Sequence, residues 1–392
     1  MAGGQMRVIA ALGTAQTLAW ASTYYLPAVL ANSMAKDLGV GTAWVFVAFS
    51  SGLLLSGFLG PLSGRIIDLY GGHRVLPASS LVFASGLALL GAANGSVSLL
   101  VSWLVLGIGM SCGLYESAFA TLARIFGQDA RRSITGITLV AGFASTIGWP
   151  LSAWLDTSFG WRTACFAWAA VHLAICLPLN LSLPHGRHVA AAASASSHEA
   201  APARMPLMIA LSFVFGATWF CSTAMAAHLP RLLQEAGASL PAAVAAAALV
   251  GPSQVAARVF EFSLMRRVHP LISARVASLA HPIGAAGLLA IGAPAAAFFT
   301  IAHGAGNGVM TIAKGTLPLY LFGAAGYGLR QGLLTAPARF MQAAAPFVFD
   351  VLLSRLGTAA ISVTAGLGIL SFIVLALLPV KRSPEATGPP GR

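Results

Sequence analysis

Charged residues are scarce in this chain, and acidic residues are the scarcest. Only 8% of the 392 residues are charged, with 10 Asp and Glu against 22 Lys and Arg. An ordinary soluble domain has roughly 25% charged residues, so a water-soluble fold of this length could not cover its surface. The 57% of hydrophobic residues and the mean hydropathy of +0.82 indicate a helical membrane protein. A membrane β-barrel is disfavoured, because apolar and polar residues do not alternate as its strands require.

Cysteine is also sparse. The four cysteines all lie in apolar segments and show no Cys-x-x-Cys spacing: Cys112, Cys165, Cys176 and Cys221. This pattern predicts neither a zinc site nor a disulfide framework. The sequence also lacks a phosphate-binding loop, a metal-ligand cluster and a nucleophile–base motif. We therefore expect no cofactor, no metal and no enzymatic activity.

The formal net charge of +12 could in principle attract nucleic acid, since basic patches neutralise phosphates. Here, however, Lys and Arg are scattered singly at the ends of apolar segments, which is typical of the cytoplasmic loops of membrane proteins. We predict membrane lipid as the surroundings, and no nucleic-acid partner.

Apolar runs long enough to cross roughly 30 Å of hydrocarbon recur along the chain. Their lengths, together with Gly, Pro and charged breaks, predict twelve transmembrane helices in an all-α membrane protein, at residues 8–34, 42–68, 75–95, 97–125, 133–156, 161–183, 206–234, 240–265, 270–293, 295–322, 331–355 and 358–380. The first run follows Arg7 and is too long for the core of a signal peptide. We expect it to be retained as the first helix.

A polar stretch rich in Ala and Ser separates the sixth predicted helix from the seventh. Residues 185–205 cannot form a membrane span and are typical of a flexible linker. The linker divides the chain into two six-helix halves, residues 1–184 and 206–380, followed by a tail at 381–392.

Basic residues near the helix ends predict the orientation. One set of loops holds most of them, namely Arg74, Arg131, Arg132, Arg187, Arg204, Arg266, Arg267, Arg330, Lys381 and Arg382. The opposite loops hold mainly Lys36, Arg162, Arg231 and Arg355, partly offset by Asp37, Asp156, Glu235 and Asp350. Both termini and the linker are therefore predicted to be cytoplasmic, in a bacterial inner membrane.

The two halves also resemble each other in sequence. Phe126-Gly127 recurs as Phe322-Gly323 at an offset of 196 residues (322 − 126). Two further matches have the same offset, Gly136 with Gly332 and Pro150 with Pro346. Duplicated halves place a binding site at their interface in many transporters, so we expect two pseudo-symmetric bundles.

The loop after the second predicted helix carries a recognisable motif. It reads Gly60-Pro-Leu-Ser-Gly64-Arg65-Ile-Ile-Asp68-Leu-Tyr-Gly71-Gly72-His73-Arg74. This resembles the signature Gly-x-x-x-Asp-Arg-x-Gly-x-Arg of the major facilitator superfamily. Gly64 stands where the family usually has an acid, and Asp68 supplies one four residues later, as in the monocarboxylate and oxalate–formate branches. The resemblance implies a secondary transporter with both termini in the cytoplasm.

The same resemblance implies a conformational latch formed by Gly60, Gly64, Arg65, Asp68, Gly71 and Arg74. We expect Asp68 to pair with Arg65, Arg74 or a cation near the fifth helix in one conformation. A degenerate copy follows the eighth helix, where Arg258 and Glu261 match Arg65 and Asp68. The alternative is that each copy is a simple cluster of cytoplasmic charges.

Ionisable residues within hydrocarbon are functional candidates, and the family resemblance implies that the first, fourth, seventh and tenth helices line the cavity. Glu116 on the fourth helix and Lys314 on the tenth are 198 residues apart, close to the internal offset. We hypothesise that Lys314 and Arg339 attract an anionic substrate, while Glu116 carries a proton or exchanges partners with Lys314. The alternative is a permanent Glu116–Lys314 salt bridge.

Further candidates for the site are polar and aromatic residues on the first, seventh, ninth and tenth helices. They are Trp20, Tyr24, His228, His303 and Asn307, with Gln16, Tyr25 and His281 nearby. Trp and Tyr near helix ends also form interfacial belts, and a lone His more often serves helix packing.

The predicted function is alternating-access transport of a small organic anion or monocarboxylate, with protons as the coupling ion. The main alternative is a proton-coupled exporter of drugs or other toxic compounds. It is favoured by Gly142-Phe-Ala-Ser-Thr-Ile-Gly148-Trp-Pro150, which is similar to a motif of facilitator antiporters. A membrane-bound enzyme or receptor is disfavoured, because no soluble domain is long enough to signal.

Overall fold

The computed structural model describes residues 2–184, 201–263 and 268–378, and regular structure in these ranges is helical. The α-helices are α1 Ala2–Ser22, α2 Pro27–Asp37, α3 Thr42–Tyr70, α4 Gly72–Gly91, α5 Ser96–Gly113, α6 Tyr115–Phe126, α7 Ala130–Ala141, α8 Ala144–Phe159, α9 Trp161–Val171, α10 Leu177–Leu181, α11 Ala201–Glu235, α12 Leu240–Ala247, α13 Val250–Ser263, α14 Pro270–Ile291, α15 Ala296–Phe322, α16 Tyr327–Leu356 and α17 Ile361–Leu377. A π-helical segment, His172–Cys176, joins α9 to α10. Most of the predicted linker, the predicted tail, Arg187, Arg266, Arg267, Lys381 and Arg382 lie outside the described residues.

Nine stretches of the described chain are long and apolar enough to cross a membrane, so the protein is a multi-pass membrane protein. One of them, Tyr327–Leu377, contains both α16 and α17. The helices α1 and α15 are not among the nine, because polar residues such as Gln16, His303 and Asn307 lower their mean hydropathy.

Four predicted spans are interrupted between two helices in the structure, at 8–34, 97–125, 133–156 and 240–265, whereas in 161–183 the π-helical segment joins α9 to α10 without a break. The first is interrupted just before Pro27, whose ring removes a backbone donor. The second is interrupted at Leu114, which has an extended backbone (φ −89°, ψ −167°) directly after Gly113. Interrupted helices expose backbone groups, which membrane proteins tolerate where the backbone is buried in protein or lines a cavity.

The helices pack as two sets, and we call α1–α10 the first set and α11–α17 the second set. The first set is built around one hydrophobic core and the second around two smaller ones. The sets meet where α16 packs on α3 and α6, and where α7 packs on α13 and α15.

Glycines allow α3 and α16 to approach closely. A Cβ added to Gly64 would collide with the carbonyl group of Gly328, and one added to Gly332 would collide with that of Gly60. Small residues let membrane helices bring their backbones together. Two of the glycines that were predicted to belong to a latch, Gly60 and Gly64, therefore lie in the contact between the sets.

Close contact between the sets lies toward one end of the molecule, which we call the motif end and define by the turns at Gly71, Gly127 and Gly323. At the far end, defined by the turns at Gly160 and Gly292, polar contacts join helices of the same set. In the first set the Ser33 hydroxyl donates to Asp156 at 2.6 Å, and in the second Arg231 pairs with Asp350 at 2.7 Å.

Candidate functional site

An ion pair between a buried Arg339 and a largely buried Glu116 joins the two sets near the middle of α16. Nη2 of Arg339 lies 3.2 Å and 3.1 Å from the two carboxylate oxygens of Glu116, and Nη1 of Arg339 donates to Oε1 of Gln342 at 3.0 Å. Glu116 lies in the first turn of α6, directly after the break at Leu114. The positive end of a helix dipole favours a carboxylate at this position, so the break places Glu116 where the α6 terminus and the Arg339 guanidinium both attract it.

Lys314 lies beside this pair but does not complete it. Its side chain is buried, and Nζ lies 4.0 Å from the ring centroid of Trp219. Among the residues that the structure describes, no carboxylate lies within the 4.0 Å of a salt bridge to Nζ. The structure therefore differs from the alternative of a permanent Glu116–Lys314 salt bridge, because the Glu116 carboxylate is bound by the guanidinium of Arg339.

The site has more positive than negative charge. Arg258 is buried and lies within electrostatic range of Lys314, and its Nη1 donates to the carbonyl oxygen of Thr138 at 3.1 Å. Among the residues that the structure describes, the basic side chains of Arg339 and Lys314 lie beside Glu116 and Arg258 lies near Lys314, so basic groups outnumber acidic ones in this region. Buried charges are costly unless they are paired, so this arrangement is suited to an anionic ligand.

Aromatic rings from both sets line the same region. The Trp20 ring lies 5.2 Å from Tyr24, 5.0 Å from Tyr115 and 6.3 Å from Trp219, measured between centroids. The Trp20 and Trp219 planes are nearly parallel, at 11°. Trp219 also lies 5.1 Å from the guanidinium carbon of Arg339, so the rings and the cations form one continuous site.

Sequence reasoning missed Trp219, although a signal was present. Trp219 follows Trp20 by 199 residues, which is close to the offset of 196 residues that relates the two halves. The residue is thus the counterpart of a predicted site residue in the other half. The sequence gives no indication, however, that the two rings stack on each other.

Three predicted residues lie away from the cation–aromatic site. His303 and Asn307 line a separate cavity inside the second set, where Nδ1 of His303 lies 3.0 Å from Nδ1 of His281. Nε2 of His281 lies 2.9 Å from the Thr364 hydroxyl. His228 lies between α11 and α16, with Nε2 2.8 Å from the carbonyl oxygen of Pro346.

The predicted latch residue Asp68 lies at the motif end and reaches across to the second set. Its two carboxylate oxygens accept from the backbone N–H groups of Gly328 and Leu329, each at 2.9 Å. The expected partners Arg65 and Arg74 are exposed. Asp68 therefore caps the N-terminus of α16, where unpaired N–H groups and the helix dipole favour a negative charge.

The second copy of the motif makes the reciprocal contact. Glu261 of the second set is buried and pairs with Arg131 of the first set at 3.3 Å. Nη1 of Arg131 also donates to the carbonyl oxygen of Val268 at 3.0 Å. Each acid thus binds a group of the opposite set, and both contacts must break for the sets to separate at this end.

Replacing Asp68 by Asn is expected to favour separation of the sets at the motif end. Asn keeps one acceptor oxygen but replaces the other by an NH2 group, which cannot accept from the second backbone N–H, and it loses the charge that interacts with the α16 terminus, worth about 0.3–2 kcal/mol. We expect the equilibrium to shift about two- to thirtyfold toward the separated state. Electron–electron distance measurements between spin labels at the exposed positions Tyr70 and Leu329, in a background without the four cysteines, would detect the longer distance.

The matched control is Asp129→Asn, which removes an exposed acid at the same end. It should leave the distance distribution unchanged. An equal response to both substitutions would contradict a specific role for Asp68.

Comparisons with known proteins identify the family and the fold. The family model described as Major Facilitator Superfamily matches residues 12–325. The multidrug transporter protein MdtP of Bacillus subtilis (strain 168) is 28% identical over 120 residues, which are 30% of this chain and 21% of that protein. The aligned region thus spans about a fifth of the length of that curated relative.

Solved structures share the fold over nearly the whole chain. The human organic anion transporter MFSD10 has a TM-score of 0.70 at 17% identity and covers 95% of this chain and 99% of its own. The proton:xylose symporter XylE has a TM-score of 0.74 at 13% identity, covering 95% and 96%. At these identities the similarity establishes the fold.

Proposed function

Because the chain belongs to the Major Facilitator Superfamily, a family of membrane transporters and not of enzymes, we propose that it carries a small organic anion by alternating access. The observation that supports this proposal is the excess of buried cations over acids around the Glu116–Arg339 pair. An anionic substrate would supply the missing negative charge, whereas a cationic one would add to the repulsion.

The proposed topology has twelve spans. Counting α16 and α17 separately gives ten apolar spans, and α1 with α2, and α15, supply the other two. The proposed halves are residues 1–184 and 206–380, joined by a cytoplasmic linker at 185–205 and followed by a cytoplasmic tail at 381–392. The bacterial inner membrane remains the proposed location, on the distribution of Lys and Arg.

In the proposed cycle, the substrate competes with Glu116 for Arg339. The substrate carboxylate binds Arg339 and Lys314, and Glu116 leaves the guanidinium. A carboxylate that has lost its cation in a water-poor site takes up a proton more readily. Substrate and proton then cross together, and release of the substrate allows Glu116 to lose its proton and bind Arg339 again.

The change of access in this proposal takes place at the contact between α3 and α16. If the motif end is cytoplasmic, contact between the sets at that end corresponds to an outward-facing arrangement. The Asp68 and Glu261 contacts would stabilise it, and their rupture would open the site to the cytoplasm.

Replacing Glu116 by Gln should separate proton coupling from substrate exchange. Gln cannot carry the proton, so we expect accumulation driven by a proton gradient to fall at least about tenfold, while exchange of labelled for unlabelled carboxylate in proteoliposomes continues. Lys314→Gln serves as the matched variant: it removes a substrate cation and should lower both activities. Unchanged proton-driven accumulation in Glu116→Gln would exclude Glu116 as the proton carrier.

A drug exporter is the second candidate function. It is favoured by the aromatic lining around Trp20 and Trp219 and by the similarity to a multidrug transporter over 120 residues. Under this alternative, hydrophobic cations would stabilise the purified protein against heat, and they would still do so after Arg339→Gln. The anion proposal requires the opposite result, in which carboxylates stabilise the wild type and lose their effect in the variant.

A further inference from the structure

We infer that the substrate body is a flat aromatic ring and that the site selects aromatic monocarboxylates over aliphatic ones of similar size. The inference rests on the proposed anion site and specifies its substrate class. It depends on three features of the site. These are the distances between the cations and the aromatic rings, the relative orientation of the rings, and the buried N–H groups of two indoles.

The first feature is the distance between the carboxylate-binding groups and the rings. Lys314 Nζ and the Arg339 guanidinium lie 4.0 Å and 5.1 Å from the Trp219 ring centroid. A carboxylate bound to these cations would therefore lie beside an indole. The rest of the substrate would extend over Trp219 or toward Trp20 and Tyr115, whose rings lie 5.0 Å apart.

The second feature is the geometry of the rings. Trp20 and Trp219 belong to opposite sets and are nearly parallel, at 11° with centroids 6.3 Å apart. Tyr24 lies edge-on to Trp20, at 70°. Flat rings bind such surfaces by offset stacking and edge-to-face contact, whereas a puckered saturated ring gains only the burial of its area.

The third feature is two indole N–H groups that lack an acceptor. Nε1 of Trp20 and Nε1 of Trp219 are buried and have no hydrogen-bond partner among the described residues. A buried donor without a partner is unfavourable. The carboxylate oxygens of an aromatic acid could accept from them, so the site offers neutral donors in addition to its cations.

The test compares benzoate with cyclohexanecarboxylate, which has the same number of carbon atoms but a puckered ring. Isothermal titration calorimetry of the purified full-length protein should give benzoate about two- to tenfold higher affinity, from the extra energy of aromatic contacts. Hexanoate should bind no better than cyclohexanecarboxylate. Benzyl alcohol, which lacks the charge, should bind more weakly than either ring acid.

Site variants test which rings confer the selectivity. In Trp219→Leu and Trp20→Leu, we expect the ratio of benzoate to cyclohexanecarboxylate affinity to fall to about one. The ratio is informative even if loss of the ring also disturbs Lys314 or Arg339, because both acids use the same cations. Trp154→Leu is the matched control, since Trp154 is an exposed tryptophan of α8, and it should keep the wild-type ratio.

The outcomes separate this inference from the proposed function. Equal affinities of all three acids, lost on Arg339→Gln, would overturn the aromatic inference and keep the anion transporter. A benzoate preference that persists in both site variants would also overturn it. If no carboxylate binds the wild type, both proposals fail. The comparison within the wild type keeps the test decisive even if a tryptophan variant does not fold.

Discussion

Replacing Arg339 by Gln is expected to weaken carboxylate binding strongly and to destabilise the protein. The substrate loses its main cation, and truncating one member of a buried charge pair costs about 2–5 kcal/mol or more, so affinity should fall at least about thirtyfold. Glu116 is left buried without its partner, which should lower the free energy of unfolding by about 3–5 kcal/mol. Calorimetric titration with benzoate and thermal unfolding in detergent would measure the two effects.

The double variant Glu116→Gln with Arg339→Gln separates these effects. Removal of both charges should restore most of the lost stability, because neither is then uncompensated, but it should not restore binding.

The matched control is Arg231→Gln at the far end, where both partners of the Arg231–Asp350 pair are about half exposed. Exposed ion pairs contribute only about 0–1 kcal/mol to the free energy of unfolding. A double variant that binds carboxylate like the wild type would refute the proposed role of Arg339.

Replacing Gly64 by Ala is expected to hold the two sets apart and so to reduce the transport rate at least about tenfold. A tenfold lower rate corresponds to an activation free energy of transport that is higher by about 1.4 kcal/mol. The added methyl group would collide with the backbone carbonyl of Gly328, which cannot rotate away as a side chain can. Ala is also a better helix former than Gly by about 1 kcal/mol, so a weaker α3 helix would not explain the loss. Uptake in proteoliposomes and the Tyr70–Leu329 label distance would report the change.

Gly366→Ala is the matched control for this substitution. A Cβ at Gly366 of α17 meets no atom within 4 Å, so transport should be unchanged. Normal uptake and a wild-type label distance in Gly64→Ala would show that the close approach of α3 and α16 is not required for the cycle.

Hydrophobic length and one local motif were enough to predict the class of protein. The apolar runs follow from the thickness of the bilayer, and the Gly60–Arg74 motif led to the superfamily, which the family model confirms. The predicted absence of enzymatic activity agrees with membership of that family. These conclusions depend on the hydrophobicity of individual segments and on the sequence of one loop.

Three of the ionisable residues that the sequence analysis proposed for a site lie close together in the structure. Glu116, Lys314 and Arg339 stood out because charges within hydrocarbon are rare, and the structure brings all three to the contact between the sets. Sequence reasoning could not tell that Glu116 binds Arg339 and that Lys314 faces Trp219. That choice depends on the break at Leu114 and on the depth at which α16 crosses the first set.

The sequence by itself determined the class of protein, the superfamily and the charged residues available to a site, because these depend on local composition and periodicity. The tertiary structure decided which residues meet: Glu116 with Arg339, Asp68 with the N-terminus of α16, and Trp20 with Trp219. It also placed His228, His303 and Asn307 elsewhere. The physical reason is that helix crossings bring together residues about 200 or more positions apart. Those crossings depend on how closely the glycine backbones of two helices approach each other, and the sequence of one helix alone does not specify this.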